Sequence, residues 1–494
     1  MIRFVHSCIG RTGRKSASLA LVLTILVVGT AGAAAGPQSA PSRVGGAWTL
    51  FGYDSGRHNA GPRKTGITAA NIGRVRRQEV PLDGTVDASP IYLRAASVAG
   101  GTHDVFIVTT SYGKTIALDA DSGSVLWRFT PQGYESWAGS YRITNSTPVA
   151  VRGFIYSASP DGRLHKLSIA TGSEIRSDGW PVTITLEPRR EKIAPALNFA
   201  RGLVLAATGG YVGDAPPYQG HVVAVDADSG RIVHVWNALC SDRRGLIQPS
   251  SCPESGAAIW ARAGVVVAPS TGRLLVATGD GKFDGRSYWG DSVLLLSPDA
   301  GRLLGNWTPR DYARLDSGDV DLGSTAPALL TRFRAVQGGK DGKLRQLDLR
   351  RLNGRTNTPG PRTGGELQTS VAPGRTGVLS APAVWHNEGR TWIFVANDSG
   401  TAAFTLRRGR LRVAWQNTAH GTSPIIAGGL LYVYDESVGA LNVYQPTSGR
   451  SVVRLRAGRG HWNSPIITDG RIALPTGDAN QHRTSGVLDI YRLP

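Results

Sequence analysis

Cysteine is almost absent from this chain. Cys8, Cys240 and Cys252 are the only three among 494 residues. That leaves no Cys-x-x-Cys-His haem attachment site and no paired zinc-binding motif. The ten histidines are dispersed and none falls in a His-Glu-x-x-His pattern, so a zinc protease has no support. No Gly-x-Ser-x-Gly elbow occurs, and esterase chemistry has no residue to rest on. Long helical periodicity is missing too. Turn residues, led by 63 Gly and 28 Pro, instead break the chain into short runs. That rhythm is the mark of an all-β fold.

The formal net charge is +19. It comes almost wholly from scattered Arg, with pairs such as Arg189-Arg190 and Arg350-Arg351 and no long basic run. Without a recognisable nucleic-acid module this reads as a solvated basic surface, and nucleic acid is not an expected partner. Contact with an acidic polymer or a membrane face is the alternative.

Residues 1–36 read as a secretory signal peptide. Arg3, Arg11, Arg14 and Lys15 form a positive start, Leu19 to Val28 an apolar stretch, and Ala33-Ala34-Ala35 a small-residue cleavage site. An uncleaved anchor is the alternative, and no membrane span is expected beyond this leader. The chain is therefore expected to be secreted or to lie in the periplasm or cell envelope. There Cys240 and Cys252 should form a disulfide, stabilising the fold by about 3 kcal/mol on a chain-entropy argument. Two free thiols are the other option.

Residues 37–494 repeat. In 87–130 an apolar strand follows Ser89-Pro90, a second holds Val105 to Val108, a third Thr115 to Asp119, and a fourth ends at Trp127. Four antiparallel strands in such a length make one propeller blade. The opening recurs at Thr147-Pro148, Ala194-Pro195, Ala326-Pro327, Ala381-Pro382, Ser423-Pro424 and Ser464-Pro465. Pro is tolerated at the first residue of a strand. One further unit lacks the Pro and starts near Ile259-Trp260. The last unit, 462–494, has only three strands, so residues 74–82 are expected to supply the fourth and close the ring. The expectation is an eight-bladed β-propeller with insertions at 237–258 and 350–377. Seven blades is the alternative, should one irregular unit be an insertion.

Ala117-x-Asp119-x-x-x-Gly123-x-x-x-Trp127 matches the docking motif of propellers that bind pyrroloquinoline quinone (PQQ), and Trp236 and Trp307 arrive two residues late in similar runs. Trp48-x-x-Phe51-Gly52-Tyr53-Asp54 is similar to the segment that opens such domains. Over 48–494 the chain resembles the quinoprotein alcohol dehydrogenase family. The resemblance implies PQQ and calcium at the ring centre. Ala277-Thr278-Gly279-Asp280 resembles that family's Gly-Thr-Gly-Asn, which implies Asp280 as a metal ligand. Val320-Asp321-Leu322 is similar to its Trp-Asp-Tyr, which implies Asp321 as catalytic base and ligand. Lys340-Asp341-Gly342 resembles the turn whose basic residue contacts the quinone. The family's Glu ligand is missing near Ala215, with Asp214 adjacent. The Trp that floors the cofactor should fall near Arg262, and Trp260 stands two positions away. The vicinal cysteine pair is absent.

This incomplete set favours a binding scaffold whose loops engage a protein, polysaccharide or small ligand on one face. A PQQ- and calcium-dependent alcohol or sugar dehydrogenase is the alternative. Three further groups are candidates: Asp316, Asp319 and Asp321 for calcium; His420, His461 and His482 for a metal; and Trp137, Trp180, Trp289 and Trp462 for stacking.

Overall fold

The computed structural model describes residues 46–352 and 363–494. The leader over 1–36 and part of the 350–377 insertion lie outside them. The described residues form eight four-stranded antiparallel sheets; in seven the strands follow one another in chain order, and the eighth ends on a strand from the start of the chain. The sheets cover 91–129, 149–183, 198–237, 266–307, 328–371, 383–417, 425–456 and, for the eighth, 466–492 with Arg76–Leu82.

The strand composition dictates the ring. In the first blade the second strand, Gly101–Thr109, is buried without a break from Asp104 onward and Thr115–Asp119 is buried to its last residue, whereas the outer strand Val125–Phe129 mixes buried and open positions. A sheet with two apolar faces must be covered on both. Neighbouring blades do this, so no unit is stable alone. Closure comes from Arg76–Leu82, which pairs antiparallel with Gly486–Arg492 from Arg76 opposite Arg492 to Leu82 opposite Gly486. Arg77 reaches 2.9 Å to the fully buried Asp489 across this seam.

Trp127 shows how blades dock. Its indole N–H donates to the Ile169 carbonyl of the second blade at 2.9 Å. Gly172 lies beneath the ring at φ +71°, and a Cβ there would stand 2.5 Å from the indole. Trp415 does the same toward the seventh blade, donating to Pro446 at 2.7 Å. Its hairpin is longer than the motif allows, so the sequence pattern missed it. Replacing Trp127 with alanine is expected to destabilise the chain by about 3–5 kcal/mol in chemical denaturation.

Residues 46–65 border the innermost strands. Trp48 exchanges two 2.8 Å hydrogen bonds with Tyr92, and Thr49, Ser55, His58 and Asn59 accept from Ala150, Val267, Val384 and Ile426. This satisfies strand edges that would otherwise face the channel unpaired. The expected disulfide, Cys240–Cys252, closes the insertion between the third and fourth blades. The irregular unit at 259 is a true blade. Its inner strand shrinks to Val266–Val267, leaving 257–264 as loop. Among the described residues no helix is long and apolar enough to cross a membrane.

Candidate active site in the channel

A cavity of about 300 Å³ is lined by residues from five blades. The third contributes Tyr211 and Asp214, the fourth Trp260 and Asp280, the fifth Asp321 and Lys340, the sixth Leu379 and the eighth Trp462. Propeller symmetry brings them together, since the turns between strands meet around the axis.

Asp280 follows Leu274–Ala277, and Asp321 precedes the fifth blade. The two loops touch because residue 279 is glycine: a Cβ there would stand 1.9 Å from the Asp321 Oδ1. The Asp280 backbone N–H donates to that oxygen at 2.9 Å. Asp321 Oδ2 lies 2.5 Å from Lys340 Nζ, and Asp319 Oδ1 lies 2.6 Å from the same nitrogen. Lys340 in turn sits 5.8 Å from the centre of the Trp260 ring. One carboxylate oxygen from each of Asp280, Asp319 and Asp321 falls within 4.8 Å of the others.

Burial and the neighbouring Asp321 push the Asp280 carboxyl up to about 8. Burial would raise Asp321 too, but the hydrogen bond from Asp280 and the Lys340 ammonium outweigh it and hold Asp321 below the ordinary carboxylate range. Lys340 is lowered by burial and raised more by Asp321 and Asp319, for a net rise. Neighbouring acids with split affinities for the proton are what acid–base sites are built from. Of the two, Asp321 is the more readily ionised and, with no cation bound, Asp280 is the one that keeps its proton longer.

The rest of the site is aromatic. Trp260 and Trp462 stack with centroids 5.6 Å apart, and His461 stacks on Trp462 at 4.3 Å. Arg262, where a floor Trp was expected, is instead a buried clamp. It donates to the carbonyls of Asn145 at 3.0 Å and Asp87 at 2.7 Å. Asp87 is itself a hub. It accepts from Asn145 at 2.8 Å, from the Trp462 N–H at 3.0 Å and pairs with His461 Nδ1 at 2.7 Å.

Asp280, Asp321, Lys340 and Trp260 all line the cavity. Asp214 stands at its exposed rim, bonded to Tyr218, outside the group of three carboxylates. Asp319 completes that group. Asp316, expected alongside it, turns away to accept the Gly281 N–H at 2.7 Å. The three loop histidines do not converge on a metal site: His420 pairs with Glu436 at 2.7 Å, and His461 with Asp87. Of the four tryptophans considered for stacking, Trp462 lines the cavity. Trp137, Trp180 and Trp289 are buried in packing clusters. Sequence reasoning missed Lys192, whose only signal was its place just before the Ala194-Pro195 opening.

Carboxylates, a lysine and an indole are thus gathered in one cavity of an eight-bladed propeller. A family model described as outer membrane protein assembly factor BamB, of the PQQ-repeat type, matches residues 77–245. The quinohemoprotein alcohol dehydrogenase ADH IIB of Pseudomonas putida is 26% identical over 336 residues, covering 60% of this chain and 45% of that protein. The chain thus spans less than half the length of that relative. The crystal structure of the Comamonas testosteroni quinohemoprotein alcohol dehydrogenase superposes with TM-score 0.66 at 16% identity, covering 90% of this chain and 80% of that one. A europium-containing methanol dehydrogenase gives 0.68 at 15% identity, covering 91% and 98%. The chain is an eight-bladed β-propeller whose repeats are similar to the PQQ-repeat type over residues 77–245.

The residues fit the groups this family implies. Three clustered carboxylates suit a hard cation, which takes oxygen ligands. The gap between Trp260 and Trp462 takes no ring, because that needs about 7 Å, twice the contact distance of about 3.5 Å. The cavity beside the pair has the space, an indole face and lysine charge for a planar anion.

Proposed function

We propose that this chain is a PQQ- and cation-dependent dehydrogenase of alcohols or sugars, acting in the cell envelope or outside the cell. The observation that carries this reading is the convergence of Asp280, Asp319, Asp321, Lys340 and Trp260 in one cavity. The missing Glu spoke for a scaffold, but Asp319 supplies a third carboxylate from within this chain. The alcohol dehydrogenase activity named for the Pseudomonas relative supports the enzyme reading, and the outer-membrane description of the family model supports a place in the cell envelope.

In this reading Asp280, Asp319 and Asp321 hold the cation, and calcium is the first to try. Asp321 accepts the proton of the substrate hydroxyl. It is suited to this because Lys340 and Asp280 keep it ionised in a buried place. Lys340 orients Asp321 and presents positive charge beside Trp260. PQQ, when bound, would supply the two-electron acceptor that oxidation of an alcohol to a carbonyl needs. The closely packed loops of the fourth and fifth blades exclude water from behind the base.

The test is reconstitution of the full chain with PQQ and calcium, followed by dye-linked oxidation of a panel of alcohols and sugars. Terbium, whose emission Trp260 can sensitise, reports the cation site separately. Saturable binding of both and turnover of at least one substrate are expected. No binding at micromolar PQQ retires this reading and returns the scaffold.

A further inference from the structure

Buried ammonium groups normally find oxygen. Lys166, 6% exposed, donates to the carbonyls of Ala227 at 3.0 Å and Asp228 at 3.2 Å. Lys340 holds two carboxylates. Lys192 is equally buried, 6% exposed, and among the described residues no hydrogen bond or ion pair is made by its ammonium. It lines the cavity.

Local structure aims it there. Glu191–Lys192 forms a two-residue ladder with Gly209–Gly210. Strand alternation sends the two side chains to opposite sides. Glu191 turns toward Thr185 and accepts the Gln219 N–H at 3.1 Å. Lys192 is left facing the cavity. The acids it senses are already engaged: Asp87 by His461 and Asn145, Asp478 by the Asn480 N–H at 2.9 Å. Burial lowers Lys192 to about 8, with Asp87 and Asp478 opposing and Arg262 adding to the fall. The ammonium opens on the cavity, and a bound anion would give it the oxygen partner that the chain does not.

We infer that Lys192 anchors a carboxylate of the cavity's ligand, and that this ligand is a flat anion carrying carboxylate. The inference deepens the quinone reading by assigning a residue of this chain to the ligand's charge, and it can fail separately. The carboxylate belongs either to the cofactor or to a substrate such as a hydroxy acid. The chemistry is the same in both cases.

The experiment uses the full chain treated with EDTA, with binding read by quenching of tryptophan fluorescence and by equilibrium dialysis. The probes are PQQ, its trimethyl ester and isophthalate. On the wild-type chain PQQ should bind at least about tenfold tighter than its ester, equivalent to about 1.4 kcal/mol. Lys192→Met should lose at least about tenfold for isophthalate, and Lys192→Arg should restore most of it. A parallel loss for PQQ assigns the carboxylate to the cofactor. Unchanged PQQ binding, with hydroxy-acid KM raised and uncharged-alcohol KM unmoved, assigns it to the substrate. Isophthalate binding that needs Lys192 when PQQ does not bind sustains the inference and sinks the quinone reading. Equal binding of acid and ester, or a Met variant that binds every carboxylate as the wild type does, overturns the inference and leaves the quinone reading standing. Should the Met variant fail to fold, Lys192→Gln takes its place: isophthalate binding lost in Gln and kept in Arg sustains the inference, and binding kept in both overturns it.

Discussion

Asp321→Asn in the PQQ- and calcium-loaded chain is expected to lower turnover by about 10²–10⁴-fold, the range lost when a positioned base is removed. Binding of the quinone should survive. The variant keeps an oxygen to accept the Asp280 N–H, now 2.9 Å from Oδ1, and Lys340 keeps its 2.6 Å partner in Asp319. The loop therefore has reason to hold its shape while losing the group that takes the proton. Single-turnover bleaching of the loaded quinone by substrate separates this step from dye reoxidation. A variant that bleaches at the wild-type rate would remove Asp321 as base.

The second large effect concerns folding. Asp87→Ala is expected to destabilise the chain by about 3–5 kcal/mol, as does breaking one side of a buried ion pair. Asp87 is wholly enclosed, and loss of its carboxylate would leave His461, Asn145 and the Trp462 backbone N–H without their common partner, while Arg262 keeps the Asp87 carbonyl. The pH dependence follows from two opposite shifts. Burial alone would raise Asp87, but His461 and Arg262 take it down to about 2 from 3.8. That stabilisation is present above 3.8 and fades as pH falls through about 2. Burial would lower His461, but Asp87 raises it above 6.5. That stabilisation is complete below 6.5 and is lost as pH rises through the folded value. The pair therefore contributes most between 3.8 and 6.5. Denaturant titrations across this range should show the wild-type maximum there, and Asp87→Asn should flatten both limbs. An unchanged profile in that variant would show that Asp87 is not the coupling group.

The ring, its blade count and its closing strand are all legible in the amino-acid sequence. They come from a pattern repeated many times, so one blurred unit at 259 does not erase it. Asp280, Asp321 and Lys340 are legible because each sits in a turn at a fixed place within its repeat. Local rules do not reach the choice of Asp319 over Asp316. That choice depends on how the chain leaves the short helix Tyr312–Ser317: Asp316 is spent on the Gly281 N–H, while Asp319, at φ +49°, faces Lys340. Lys192 is hidden for a related reason. A two-residue strand offers no periodicity from which to infer which side chain looks inward.

The architecture, then, is a property of the sequence. Blades with two greasy faces can only stack around an axis, and an incomplete last blade requires a strand from elsewhere in the chain. The composition of the centre belongs to the tertiary structure. Trp260 meets Trp462, and Asp87 meets His461, across separations that no local pattern spans. Closing the ring makes first and last blades neighbours, so contacts at the axis are set by angle around the circle and not by distance along the chain.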